Sequence, residues 1–246
     1  GDVVDTLELV RPDVVAFSAK TGEHKYYLEA NRVVKAFDKR IVTIMGGPHT
    51  TFFPETIEHH DLDAICVGEG DDAWPEFLSA LARGGDMHSI ANIQTKLNRA
   101  EDRVLPLRPK KSDLDLLPFL DRNLVYRSTR LRRFPMRSFM AGRGCPYPCT
   151  YCFNHAFRAV YRGKGRLYNR FSVDRIIAEL KVLKAKYETQ FIKFYDDIFV
   201  FQCDDWLEEF AEKYPREIGL PFHCLVRADL LTEPMLLALK KAGIHS

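Results

Sequence analysis

The feature that most narrows the fold is a rhythm that runs through the chain twice: short apolar runs of strand character, each followed by an amphipathic stretch of helical period. In the opening third, strands are expected at 13–18 (DVVAFS), 40–45 (RIVTIM) and 63–67 (DAICV), with helices over 26–38 and from about 71 to 83. Strands joined through helices cannot be closed by tight turns. They run parallel, with the helices covering the sheet faces, so the expected class is α/β with a doubly wound sheet. The 246 residues suffice for about two domains.

The rhythm breaks between 84 and about 135, where prolines 106, 109, 118 and 135 interrupt short extended pieces. A small hairpin and a linker, SDLDLLPFLDRN, are expected there. The alternation then resumes. Strands are expected at 136–141, 191–195 and 221–226, and helices at 172–186 (with a Ser cap), about 204–214 and 233–242. The expected division is therefore 1–85, 86–134 and 135–246. Three βα units make half of a barrel, and three strands are few for a Rossmann-like sheet. Further strands are expected beyond both ends.

In open parallel sheets, ligands bind beyond the carboxyl ends of the strands. Three loops occupy those ends in the first region: SAKTG from Ser18, GGPHTT from Gly46 and Gly47, and GEGDD from Gly68, Glu69 and Gly70. Glycine lets backbone approach a ligand closely, although a plain tight turn uses it too. His49 lies in the second loop, where a polar loop residue is expected rather than a metal ligand.

In the second region, Cys145, Cys149 and Cys152 fall within eight residues directly after a strand, in GRGCPYPCTYC. Thiolates so close on one loop can reach three corners of a compact iron–sulfur cluster, leaving one iron open. Two other uses stay open: a Cys3His zinc site with His155, and a redox Cys149-x-x-Cys152 pair that would leave Cys145 idle. Tyr151, just before the last cysteine, offers a flat face for a planar ligand. Cys66, Cys203 and Cys224 are expected to be small buried residues, and a reducing compartment fits these scattered thiols.

The spacing Cx3Cx2C, with an aromatic before the last cysteine, at the end of a first barrel strand, resembles the radical S-adenosylmethionine enzymes. Together with GGPHTTFFPE, VGEGDDAWPEFL, YDDIFVF and PFHCLVRADLLTEPMLLALKKAG, most of the chain resembles that superfamily's cobalamin (B12)-binding branch. The resemblance implies a flavodoxin-like cobalamin-binding domain followed by the first half of a radical S-adenosylmethionine partial barrel. It implies a 4Fe–4S cluster on Cys145, Cys149 and Cys152, with Tyr151 beside the adenine of S-adenosylmethionine. It places the cobalamin tail at Ser18, Gly46, Gly47, Gly68, Glu69 and Gly70. Asp196 and Asp197 stand where many members hold the S-adenosylmethionine amino group, and Arg227 could pair with its carboxylate. For the two aspartates helix capping is the competing use, and for Arg227 an ion pair with Asp229.

The implied activity is reductive cleavage of S-adenosylmethionine to a 5′-deoxyadenosyl radical, with cobalamin relaying a methyl group to an unactivated atom of a small-molecule substrate. A reducing partner such as flavodoxin or ferredoxin would supply electrons. Cobalamin-dependent cyclisation or rearrangement is the alternative. An RNA methylthiotransferase would need a cysteine-ligated cluster in the first region, which offers only Cys66. A non-enzymatic zinc- or cobalamin-binding module is the remaining reading. The stretch 122–173 holds eleven arginines, one lysine and no acid, which suits any anion. No motif in it reads nucleic acid. No apolar run approaches the roughly 18 residues of a membrane span, and a cytoplasmic protein is expected.

Overall fold

The computed structural model describes residues 3–59, 61–127 and 129–246. It divides into two compact units, 1–110 and 111–246.

In the first unit, α1 (Val3–Val10) precedes β1 (Val14–Ser18), α2 (His24–Phe37) and β2 (Val42–Gly46). The short α3 (Pro48–Phe52), β3 (Ala64–Cys66) and α4 (Ala73–Ala82) follow. β1, β2 and β3 are parallel in that order, with Val14 beside Val42 and Ile44 beside Ala64. Neighbouring residues on a strand enter opposite cores: Ile44 and Ala64 pack with Phe77 and Ile93, whereas Met45 and Ile65 pack with Ile57 and Leu62. A parallel sheet covered on both faces needs such continuous apolar runs. Polar residues at the amino ends of the strands are tied down. Lys35 Nζ pairs with Asp63 at 2.5 Å, and the same carboxylate accepts from Thr43 N at 2.7 Å.

The hairpin expected after residue 84 is replaced by an addition to this sheet. β4 (Ile93–Thr95) runs antiparallel to β3, and α5 (Lys96–Ala100) starts at once. The cause is local: Thr95 and Asn98 form a reciprocal capping box, which turns the chain into a helix where a hairpin would need a second strand.

The second unit has a parallel sheet of β5 (Met136–Phe139), β8 (Phe191–Phe194) and β9 (Phe222–His223) in that order. Ahead of it lies α6 (Asn123–Tyr126). Between β5 and β8 come a two-stranded ribbon, β6 (Gly142–Arg143) against β7 (Asn169–Arg170), then α7 (Asn154–Val160) inside that ribbon and α8 (Val173–Lys186) after it. α9 (Asp205–Glu217) and α10 (Glu233–Ala242) complete the βα repeat. Ser172 and Asp204 cap α8 and α9 by accepting from the backbone N–H three residues on, and Gly243 ends α10 at φ 95°. Fully buried Phe194 centres the core, with Phe199 at 4.8 Å, Phe222 at 5.6 Å and Phe210 at 5.9 Å between ring centroids.

The third strand of this unit is shorter than the expected 221–226, because the chain leaves β8 after His223. Beyond it, Cys224 N donates to Ser246 O and Phe199 N to Leu225 O. The fold class is α/β as expected, with a Rossmann-like unit followed by parallel βα units of a partial barrel. Among the described residues no helix is long and apolar enough to cross a membrane.

Candidate functional site

Chemistry-bearing residues collect at the carboxyl ends of both sheets, and each unit forms its own group. In the first unit the three strand-end loops are bound to one another. Gly47 has φ 94° and ψ −175°, a region essentially closed to other residues, and an added Cβ would lie 2.8 Å from Ala19 O. Its missing side chain therefore admits the loop that follows β1, and His49 N donates to Ala19 O at 3.0 Å. Thr51 Oγ1 donates to Gly47 O and accepts from Gly68 N, both at 3.0 Å. Thr50 Oγ1 donates to Cys66 O at 2.9 Å. Ser18 is exposed at the tip of β1, and Glu69 and Gly70 are half-buried.

Sequence reasoning missed the residue that holds the third loop. Asn92, buried and at φ 72°, donates through Nδ2 to Val67 O at 2.9 Å and Glu69 O at 3.2 Å. Its only trace in the sequence is an Asn before a strand, a position asparagine tolerates at positive φ.

His49 is buried with both ring nitrogens engaged, Nδ1 with Thr21 Oγ1 and Nε2 with Thr56 Oγ1, each at 3.2 Å. It stacks on His24 at 3.8 Å. Burial, then the neighbouring His24, lower its pKa below the usual imidazole value. The ring thus links Thr21 in the loop after β1 to Thr56 beyond α3.

In the second unit the cysteine loop leaves the ribbon strand β6. Gly142 has no room for a side chain, since a Cβ would lie 2.7 Å from Asn169 O across the ribbon, and Gly144 turns at φ 85°. Arg158 on α7 donates to Pro146 O at 3.0 Å and ties the loop to the helix behind it. Cys152 N donates to Cys149 O, closing a turn that runs into α7. All three thiols are half-buried. Burial is the largest cause of the raised Cys145 pKa, and nearby Asp197, Cys149 and Cys152 act in the same direction.

Three cysteines on one loop could serve a multi-iron cluster or a single ion. Among the described residues no three His, Cys, Asp or Glu side chains converge on one ion position. Thiolates on a cubane bind three separate irons and so stand further apart than thiolates round one zinc. His155, the fourth member of the zinc alternative, has its Nδ1 2.7 Å from Cys152 O, within its own turn. Tyr151 is 92% exposed, its ring free on the loop surface.

The residues expected to meet S-adenosylmethionine differ in their surroundings. Asp197 is exposed. Asp196, at the end of β8, is buried, and its carboxylate accepts from Gly142 N at 2.6 Å and Ala141 N at 3.1 Å. Burial pushes its pKa up to about 7, against the pull of those two amides. In this geometry it braces the backbone that leads into the cysteine loop. Arg227 forks onto Asp229 at 3.0 and 2.5 Å, lies 4.3 Å over the Tyr147 ring and points Nη1 at Cys149 Sγ at 3.6 Å.

Two of the three outlying cysteines are buried as expected, and burial pushes Cys66 up to about 11 and Cys224 up to about 12, well outside the reactive range. Cys203 is exposed, contrary to expectation, because it falls in the loop before the α9 cap rather than on a core face. The arginine block is divided: Arg127, Arg130, Arg132, Arg133, Arg162 and Arg166 are exposed, while a few others brace the interior together with Arg175 beyond the block. Arg137 is fully buried between Tyr126 and Tyr187 and donates to three backbone carbonyls, while Arg122 and Arg175 pair with buried Glu179 and Arg170 pairs with Asp204.

Residues 1–78 match the B12 binding domain family. Over its whole length the chain is 26% identical to the uncharacterized methyltransferase PH0819 of Pyrococcus horikoshii, covering 53% of that protein. It is 24% identical to the anaerobic magnesium-protoporphyrin IX monomethyl ester cyclase of Rubrivivax gelatinosus, over 98% of this chain and 44% of the cyclase. Among solved structures it resembles the cobalamin-dependent S-adenosylmethionine radical enzyme OxsB with aqua-cobalamin bound, at 16% identity and a TM-score of 0.77, over 98% of this chain and 35% of that one. The chain spans about half the length of the curated relatives it matches. The first unit thus resembles B12 binding domains, and the chain shares the fold of the OxsB structure.

Proposed function

We propose that this chain belongs to an enzyme that binds cobalamin on its first unit and a 4Fe–4S cluster on its second, and that acts on a small-molecule substrate through S-adenosylmethionine. The observation that carries the reading is the cysteine loop. Three half-buried thiols, Cys145, Cys149 and Cys152, lie within eight residues on one loop beyond the carboxyl end of a parallel βα sheet. Cys145, Cys149 and Cys152 would hold the cluster, which would supply one-electron reductive cleavage of S-adenosylmethionine, and the first unit would hold cobalamin, which would supply the methyl relay to an unactivated atom.

The chain's own residues then do ordinary work. Asp196 fixes the backbone at Ala141 and Gly142, so that the loop starts from a defined point. Arg158 fixes its middle at Pro146. Exposed Tyr151 offers a ring to a planar ligand and Asp197 a carboxylate to an ammonium group. In the first unit, the loops at Ser18, Gly46, Gly47, Gly68, Glu69 and Gly70 form the carboxyl-end crevice where a nucleotide-like tail docks in open parallel sheets. A low-potential reducing protein, of the flavodoxin or ferredoxin kind, delivers the electron.

A second reading, radical cyclisation without methyl transfer, has the likeness to the cyclase over 98% of the chain in its favour. The methylthiotransferase reading has little support, because the first unit offers only Cys66, buried and with a raised pKa. The test is electron paramagnetic resonance of the full-length protein, purified without oxygen, reconstituted with iron and sulfide and reduced with and without S-adenosylmethionine. The expected result is a reduced-cluster signal that changes when S-adenosylmethionine is added. Zinc in place of iron, with no such signal, would sink the proposal.

A further inference from the structure

The Arg227 side chain stands out because it reaches one of the three loop thiols. Its guanidinium carries three neighbours at once: the Asp229 carboxylate, the face of Tyr147 and the Sγ of Cys149. The first two fix its position. A fork of 3.0 and 2.5 Å sets the plane of the guanidinium, and the ring at 4.3 Å supports it from within the cysteine loop. What remains is Nη1, 3.6 Å from the sulfur, an ordinary length for an N–H···S contact. Arg227 enters from the turn after β9, so a residue 78 positions along the chain reaches one particular thiol of the three.

We propose that Arg227 is a positioning residue that donates a hydrogen bond to the Cys149 thiolate and raises the reduction potential of the cluster, rather than a partner of the S-adenosylmethionine carboxylate. The inference rests on the cluster reading given above. On one-electron reduction the cluster becomes more negative, and its thiolate sulfurs share that charge. A cationic N–H donor at one of them therefore stabilises the reduced form more than the oxidised form. Asp229 keeps the guanidinium from turning toward solvent, and by partly neutralising it limits the effect to the short range of the hydrogen bond. The electron comes from an external reductant, and no bond to carbon or sulfur is made or broken.

The test is a redox titration of the reconstituted full-length protein without S-adenosylmethionine, using dithionite with mediator dyes and electron paramagnetic resonance to count reduced clusters. A hydrogen bond from a charged donor is expected to change the ratio of reduced to oxidised cluster by about tenfold at a fixed potential. Arg227→Met should therefore lower that ratio by about tenfold, while Arg227→Lys, which keeps the charge but loses the fork, should fall between. Iron content and S-adenosylmethionine affinity should stay at the wild-type values. An unchanged potential in a fully loaded Arg227→Met protein would overturn the inference. So would an unchanged potential accompanied by weakened S-adenosylmethionine binding, which would return the arginine to the carboxylate. If neither variant takes up iron while the wild type does, the arginine serves loop folding and the inference is again overturned. A wild-type protein that forms no cluster would instead strike at the cluster reading itself.

Discussion

The two carboxyl-end regions are built in opposite ways. In the first unit the loops are locked by one another: Gly47 against Ala19, Thr51 between Gly47 and Gly68, and Asn92 across Val67 and Glu69. Polar groups of the loops are spent on backbone, and the surface left for a ligand has its shape already set. In the second unit the loop is held at a few points, by Asp196 at its root, Arg158 in its middle and Arg227 at Cys149. A preformed crevice pays little ordering entropy when it binds, whereas a loop of metal-ligating thiols is completed by what it binds. The contrast is between a site made by shape and a site made by coordination.

The most drastic way to break the second site is at a ligand. Cys149→Ala should reduce iron and sulfide in the reconstituted protein to near background, while cobalamin uptake by the first unit stays unchanged. Iron and sulfide analysis beside a cobalamin absorbance titration reads both. Loss of cobalamin binding in the same variant would contradict cobalamin binding by the first unit's own loops.

The next effect is electrostatic. Asp196 has a folded pKa of about 7 against an ordinary value of 3.8, so between roughly pH 4 and 7 the unfolded chain has given up a proton that the folded chain keeps. Stability should therefore fall as pH rises through that window and level off above it. About three pKa units correspond to an upper bound of about 4 kcal/mol. Denaturant midpoints from pH 4 to 8 measure the slope. Asp196→Asn should flatten it, and an identical slope in the variant would remove Asp196 as its source.

In the first unit, Gly47→Ala forces a Cβ to within 2.8 Å of a backbone oxygen at a positive φ. A cost of about 1–3 kcal/mol is expected from the backbone conformation alone. Cobalamin affinity should drop with it, because the two loops can no longer approach. Urea midpoints and a cobalamin titration would show this, and full stability with full affinity would mean that the loops can separate freely. The smallest change is Thr51→Val, which removes the hydroxyl shared by Gly47 O and Gly68 N and should cost about 1–2 kcal/mol by the same urea measurement.

Much of this was readable in the sequence. Both βα repeats, the parallel pairing and the cap at Ser172 follow from periodicity and local chemistry. The cysteine spacing carried the candidate cluster because three thiols on one loop are close whatever the rest of the chain does. The use of Asp196 was not readable. An acidic pair after a strand looks the same whether it faces a ligand or two amides of another strand, and only packing turned Asp196 inward and left Asp197 exposed. β4 was missed because its pairing depends on a partner far along the chain, and the capping box that follows it overrode the turn signals.

By itself, then, the sequence determined the elements, their order and the proximity of the three thiols, since these depend on side-chain period and on spacing within a few residues. The tertiary structure alone decided which polar groups were free. Asn92 reaching Val67, Asp196 reaching Ala141 and Gly142, and Arg227 reaching Cys149 join residues separated by 25, 55, 54 and 78 positions. Such pairings leave no period and no motif, because the chain brings them together only when the sheets form and bury the groups that must then find partners.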